Sequence, residues 1–143
     1  MLESGIYSKG SLNILLIFKE ISSTLPEDVG AVATFLGVTK GVGVGDRRVN
    51  RLEMESYEEH ANEIIRRICE EVRVKYKLSF VKIYHLVGEF KVGEPIVFVV
   101  VAGRSRDGVF SALREAVERY KTEPALFKKE VYIDGTHAWI SHG

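Results

Sequence analysis

The chain has 143 residues, a length that fits one domain able to bury a core without staples. Apolar residues make up 45% and charged residues 28%, ordinary for a globular domain. Twenty Lys and Arg balance twenty Asp and Glu, which argues against a general nucleic-acid coat.

The first ten residues, Met1 to Gly10, are mixed and polar and read as a loosely docked extension. Asn13 to Phe18 reads as a buried strand, too short to span a bilayer and without the flanks of a secretory signal. Ser22 to Asp28 carries turn and cap residues with room for a short helix. Gly30 to Val38 is an apolar strand with glycine near each end. Thr39 to Arg48 holds Gly41, Gly43 and Gly45 and reads as a mobile loop or hairpin. Arg51 to Tyr57 alternates as a half-exposed strand.

Ala61, Ile64, Ile65, Ile68, Cys69, Val72 and Tyr76 fall on one helical stripe. Ser79 to Leu86 is a strand, Gly88 to Gly93 a turn region, and Pro95 to Ala102 a β-branched central strand. A second helix runs from about Asp107 to Tyr120, with Phe110, Leu113, Val117 and Tyr120 as its stripe; Pro124 ends it near Thr122. Lys128 to Ile133 and His137 to Ile140 are short strands joined at Asp134-Gly135, a hairpin signal. The order predicts a single α+β domain over residues 1–143.

Three basic clusters are candidates for chemistry. Gly103-Arg104-Ser105-Arg106-Asp107-Gly108 enters a helix, where free N–H groups favour an anion; an ordinary cap with solvated arginines fits as well. Lys121 precedes Lys128, Lys129 and Glu130; lysine is readily tuned by burial, yet lysines after a helix often only meet its dipole. Lys40 heads the glycine-rich loop, which is neither a phosphate-binding P-loop nor a dinucleotide fingerprint. His60, His85, His137 and His142 form no recognised metal pair, and His60 and His85 read as structural. No metal site or resident cofactor is expected. The one cysteine, Cys69, excludes an internal disulfide framework and lies on the apolar stripe as an inert thiol.

Taken together, Gly30-Ala31-Val32-Ala33-Thr34-Phe35-Leu36-Gly37, Leu52-Glu53-Met54-Glu55-Ser56-Tyr57, Ile83-Tyr84-His85-Leu86-Val87-Gly88-Glu89, Val92-Gly93-Glu94, and Tyr120-Lys121-Thr122 through Phe127-Lys128-Lys129-Glu130 resemble one family. It is the large, catalytic subunit of molybdopterin synthase, and the resemblance covers about residues 12–140. It implies an α/β-hammerhead core with additional antiparallel strands. It implies a cytoplasmic sulfurtransferase of molybdenum cofactor biosynthesis acting on cyclic pyranopterin monophosphate (precursor Z). The sulfur donor would be a small ubiquitin-like carrier ending in a Gly-Gly thiocarboxylate. The product would be the dithiolene pterin of the molybdenum or tungsten cofactor. Large subunits would form a homodimer, and with two carriers a heterotetramer, in which each pocket receives residues from both large subunits. No membrane or nucleic-acid partner is implied.

By the same resemblance Lys121 and Lys128 take the catalytic positions. Val38, Thr39, Lys40, Ser105, Arg106, Lys129 and Glu130 join them in binding substrate. The family commonly has His-Arg where this chain has Ser105-Arg106, and arginine where it has Lys40. Serine can bond phosphate but cannot act as a near-neutral acid or base. Those departures leave a second reading open: a non-catalytic module that binds a ubiquitin-like tail or an anionic metabolite. A small RNA-binding domain is a third, opposed by the lack of a basic face or an aromatic RNA-binding strand.

Overall fold

The computed structural model describes residues 1–140. The sheet order is β2 (Ala31–Val38), β5 (Pro95–Gly103), β4 (Phe80–Lys91), β3 (Val49–Ser56), β6 (Leu126–Tyr132), β7 (His137–Ile140), all neighbours antiparallel. A further strand, β1 (Gly5–Ser8), pairs parallel with β4 from Tyr84 to Val87. Helices α2 (Glu58–Lys75) and α3 (Arg106–Thr122) cover one face, and α1 (Ile14–Ser23) packs on the other. The α+β expectation and the antiparallel plan hold.

Strand β5 explains its own composition. Val97, Val99 and Val101 meet α2 and α3 through Ile65, Ile68, Val72, Val109, Ala112 and Ala116. Phe98 and Val100 meet Ile17 and Ile21 of α1. A strand covered on both faces must be apolar at every position rather than alternating.

Four expectations need correction. Asn13–Phe18 is the start of a helix, not a strand. The Asn13 side chain accepts hydrogen bonds from the Leu15 and Leu16 amides at 3.1 and 3.3 Å, an N-cap. The buried residues, Ile17 and Ile21, stand one turn apart. That helix ends at Ser23, so Ser22 to Asp28 holds no separate one.

The N-terminal segment is not a loose extension. The Ile6 amide donates to the Asn62 side chain at 2.7 Å, the Ser4 hydroxyl accepts from the Ile83 amide at 3.1 Å, and Ile6 is buried in the main core. A four-residue strand with one core side chain carries too short a period to read.

Strand β4 does not end at Leu86. It pairs with β5 over Phe80–His85, passes Gly88, and pairs with β3 over Gly88–Lys91. Gly88 has φ 131°, a conformation that side chains disfavour. It is the bend at which the strand leaves one sheet for the other, with the turn itself confined to Val92–Glu94. Leu52, Met54, Leu86, Phe90 and Ile96 fill the space beneath.

The β1 correction is testable. Ile6→Ala should lower unfolding free energy in urea by about 2–5 kcal/mol, the usual cost of such a truncation in a core; an unchanged midpoint would restore the loose-extension reading.

Candidate functional site

The site forms where α3 ends. Helix α3 stops at Thr122 and Pro124 turns the chain, so that β6 begins at Leu126. Lys121, in the last helical turn, and Lys128, on the new strand, are thereby brought to the same cleft, about 310 Å³ in volume. Lys40 enters from the end of β2. The walls are apolar: Phe35, Met54, Ile96, Val97, Leu126 and Ile140.

Register decides which neighbours of Lys128 take part. Lys128 lies between Met54 of β3 and Ile140 of β7, both cleft residues. Lys129 points the other way, as alternation requires. It lies 3.9 Å from the Glu53 carboxylate and over the Trp139 ring. Lys129, expected to bind substrate, does not line this cleft within one chain.

Glu130 returns to the Lys128 face but is buried under the glycine-rich loop. It accepts from the Val44 amide at 3.1 Å and the Tyr132 hydroxyl at 2.7 Å. A Cβ on Gly43 would overlap its carboxylate, so glycine at 43 is a packing requirement. The loop is anchored, not mobile: it holds a short 3₁₀ turn, Val44–Asp46, and a bridge between Val42 and Arg48. Glu130 is thus a loop anchor beside the cleft rather than part of its wall.

Thr39 is likewise an anchor. It is buried, and both its amide and its hydroxyl donate to the Glu94 carbonyl at 3.0 Å. Val38 and Lys40, on either side of it, do line the cleft.

Ser105 and Arg106 are not at this site within one chain. They open α3, whereas Lys121 closes it; fifteen residues of helix separate Arg106 from Lys121, about 22 Å at about 1.5 Å per residue. Ser105 occupies the cap position, its side chain makes no capping bond, and both residues are exposed.

Electrostatics follow from the geometry. Burial first, then the charges of Lys121 and Lys40 against the pull of Glu130, hold the Lys128 ammonium below the usual lysine range. Burial and a neighbouring cation both disfavour the charged form.

One cleft residue, His85, reads from sequence only as structural. His85 is 2% exposed, packs edge-on to the Tyr120 ring, and lines the cleft beside the lysines. Burial, with a smaller push from Lys128, drives its pKa down to about 4 against the Leu86 carbonyl bond. Its place on β4 gave no sign that the end of α3 would lie across from it. His60 and His137 are exposed; His142 lies outside the described residues. No cluster of His, Cys, Asp or Glu among the described residues is placed to hold a metal. No helix among them is long and apolar enough to cross a membrane.

Comparison with known proteins decides the family. The model of the MoaE protein family matches residues 12–123. The chain belongs to the MoaE family. It is 32% identical over 133 residues to the molybdopterin synthase catalytic subunit of Bacillus subtilis, covering 93% of this chain and 82% of that one. The crystal structure of molybdopterin synthase from Staphylococcus aureus superposes with a TM-score of 0.86 at 25% identity, covering 99% of both chains. A complex of subunits 1 and 2 of molybdopterin-converting factor from Helicobacter pylori shares the fold, with a TM-score of 0.69 at 18% identity over 94% of this chain and 88% of that one. In this chain the lysine cleft is built on a fold shared with the Staphylococcus aureus structure, and the expected α+β architecture is the observed one.

The strained lysine makes a signed prediction. With its folded pKa below the unfolded value near 10.4, Lys128 binds fewer protons when folded, and stability rises with pH through that window. Lys128→Met should therefore unfold at higher urea than the parent at pH 7, and the gain should shrink as pH approaches 10.5. A variant less stable than the parent at pH 7 would contradict the electrostatic reading.

Proposed function

We propose that this chain is the sulfur-transferring subunit of a molybdopterin synthase. It would take sulfur from the C-terminal thiocarboxylate of a small ubiquitin-like carrier and deliver it to cyclic pyranopterin monophosphate, giving the ene-dithiolate. The observation that carries this reading is the gathering of Lys40, Lys121 and Lys128 on one apolar-walled cleft in a chain of zero net charge. Both reactants are anionic. Charge also develops as the cyclic phosphate opens, and fixed cations in a dry site stabilise such charge strongly.

Each transfer forms a carbon–sulfur bond on the pterin side chain, and hydrolysis of the acyl–sulfur bond leaves the carrier with a carboxylate. Lys121 would face the thiocarboxylate. Lys128, whose charged form is already disfavoured, is suited to exchanging a proton with the intermediate. Sulfur arrives on the carrier, so Cys69 has no part; it is buried and its thiol pKa is raised by that burial. The reading needs no resident metal or cofactor. A carrier subunit is consistent with the two-subunit assembly named for the Helicobacter pylori relative.

Arg106 can join this chemistry only from a second copy of the chain, because its own cleft is a helix length away. The proposed homodimer would supply it, with Ser105 beside it as a hydrogen-bonding partner for phosphate. The cytoplasm is the proposed setting.

A turnover assay with thiocarboxylated carrier and cyclic pyranopterin monophosphate tests the reading. The parent should form the dithiolene pterin, Cys69→Ala should match it, and Lys121→Ala should lose about 10²–10³-fold, as for loss of one charge-stabilising group. A parent that binds carrier but never turns over would instead be a binding module.

The shared site has its own test. Arg106→Ala and Lys121→Ala, each inactive alone, should regain activity when mixed and allowed to exchange subunits, because one site of each mixed dimer keeps both residues. No recovery, with exchange demonstrated, would remove Arg106 from the site.

A further inference from the structure

Among the described residues of the cleft, the proposed lysine chemistry leaves the His85 imidazole unused. At neutral pH a lysine ammonium only donates hydrogen bonds, and Lys40, Lys121 and Lys128 supply three of them. Met54 offers a weak sulfur acceptor, and Tyr120 a hydroxyl whose pKa burial pushes up to about 12. His85 differs from all of these.

Its ring is fixed. Nδ1 lies 2.9 Å from the Leu86 carbonyl, which can only accept, so the proton is on Nδ1 and Nε2 carries a lone pair. The Tyr120 ring meets it at 5.6 Å between centroids and 62°. Strands β5 and β1 hold its backbone on both sides, with Val97 and Ile6 as its register partners. No side-chain nitrogen or oxygen among the described residues is both buried and without a partner. Among the described residues Nε2 has no hydrogen-bond partner, and the ring that carries it lines the cleft.

We propose that His85 is a reactant-binding residue: Nε2 accepts a hydrogen bond from an N–H group of the molecule in the cleft. Resting on the synthase reading, that donor is a ring N–H of the pterin or the amide of the carrier's terminal glycine. Burial keeps the imidazole neutral, so it can orient a donor among three cations without adding a fourth. An imidazole that gained a proton would lose the Nε2 lone pair and could no longer accept from such a donor.

The test uses the full chain labelled with ¹⁵N-imidazole histidine, with the His85 resonance assigned by its loss in His85→Gln. At pH 7, Nε2 should be unprotonated. It should shift on adding either cyclic pyranopterin monophosphate or carrier with an unreactive carboxylate end, and the reactant that moves it names the donor. In steady-state assays His85→Phe, confirmed folded by its thermal transition, should raise KM for that same reactant by about 10-fold, the weight of one hydrogen bond. kcat should fall less. His85→Gln, whose amide oxygen reaches the Nε2 position, should restore most of the loss. A protonated Nε2, a resonance unmoved by both reactants, or a folded His85→Phe with parental KM for both would overturn the assignment. Absence of turnover in the parent would sink the synthase reading instead, while the titration would still decide whether Nε2 takes a donor.

Discussion

Strand β4 has to belong to two sheets, and the rest of the molecule is arranged around that requirement. Its first half lies in the covered sheet, bonded to β5 and β1. Its second half lies against β3, which in turn carries β6 and β7. Without the bend at Gly88 the β3–β6–β7 unit would continue the plane of the main sheet. Lys128 on β6 would then have no reason to face the end of α3. The fold therefore makes its cleft by bending one strand rather than by adding a domain, and the same strand contributes His85 just before the bend.

The second constraint is electrostatic. Three ammonium groups share a cleft whose walls are mostly hydrocarbon. The cost falls on Lys128, whose charged form is opposed by burial and by the charges of Lys121 and Lys40. Glu130 offsets part of that cost, but its oxygens are occupied by the Val44 amide and the Tyr132 hydroxyl. A carboxylate held this way cannot swing into the cleft and neutralise the lysine outright. Burial and the two neighbouring lysines thus work against the charged form of Lys128, while Glu130 supports it from a fixed position.

Much of this was legible in the residues because it rests on long periodic signals. The stripe of α2, the Pro124 stop of α3 and the β-branched run of β5 each span enough residues to have one reading. The failures share a cause. Ile14 to Phe18 is apolar without a break, which fits a buried strand or a helix equally; the cap at Asn13 decided it. Gly88 reads as a turn because glycine marks turns more often than bends within strands. At the site, resemblance supplied the list of residues, but alternation sorted it: Lys128 and Lys129 are adjacent in sequence and face opposite sides of the sheet. The distance from Arg106 to Lys121 follows from the helix that joins them, whose length was readable, although the consequence for a shared site appears only once Lys121 is seen in the cleft.

The exchange of arginine for Lys40 is easier to understand from the loop than from the side chain. Lysine gives up the rigid, planar fork of arginine and keeps a point charge on a flexible stem. In this chain the backbone around that stem is tied on both sides: Thr39 to the Glu94 carbonyl before it, and Gly41, Gly43 and Val44 after it to the Val49 amide, the Arg47 carbonyl and the Glu130 carboxylate. The freedom that remains is confined to the four methylenes of the lysine itself. A charge so placed can shift within the cleft while its backbone stays fixed, whereas a bidentate fork would favour one geometry. The anchored glycine-rich loop and the flexible cation are then parts of one arrangement, in which the backbone supplies the position and the side chain supplies the adjustment.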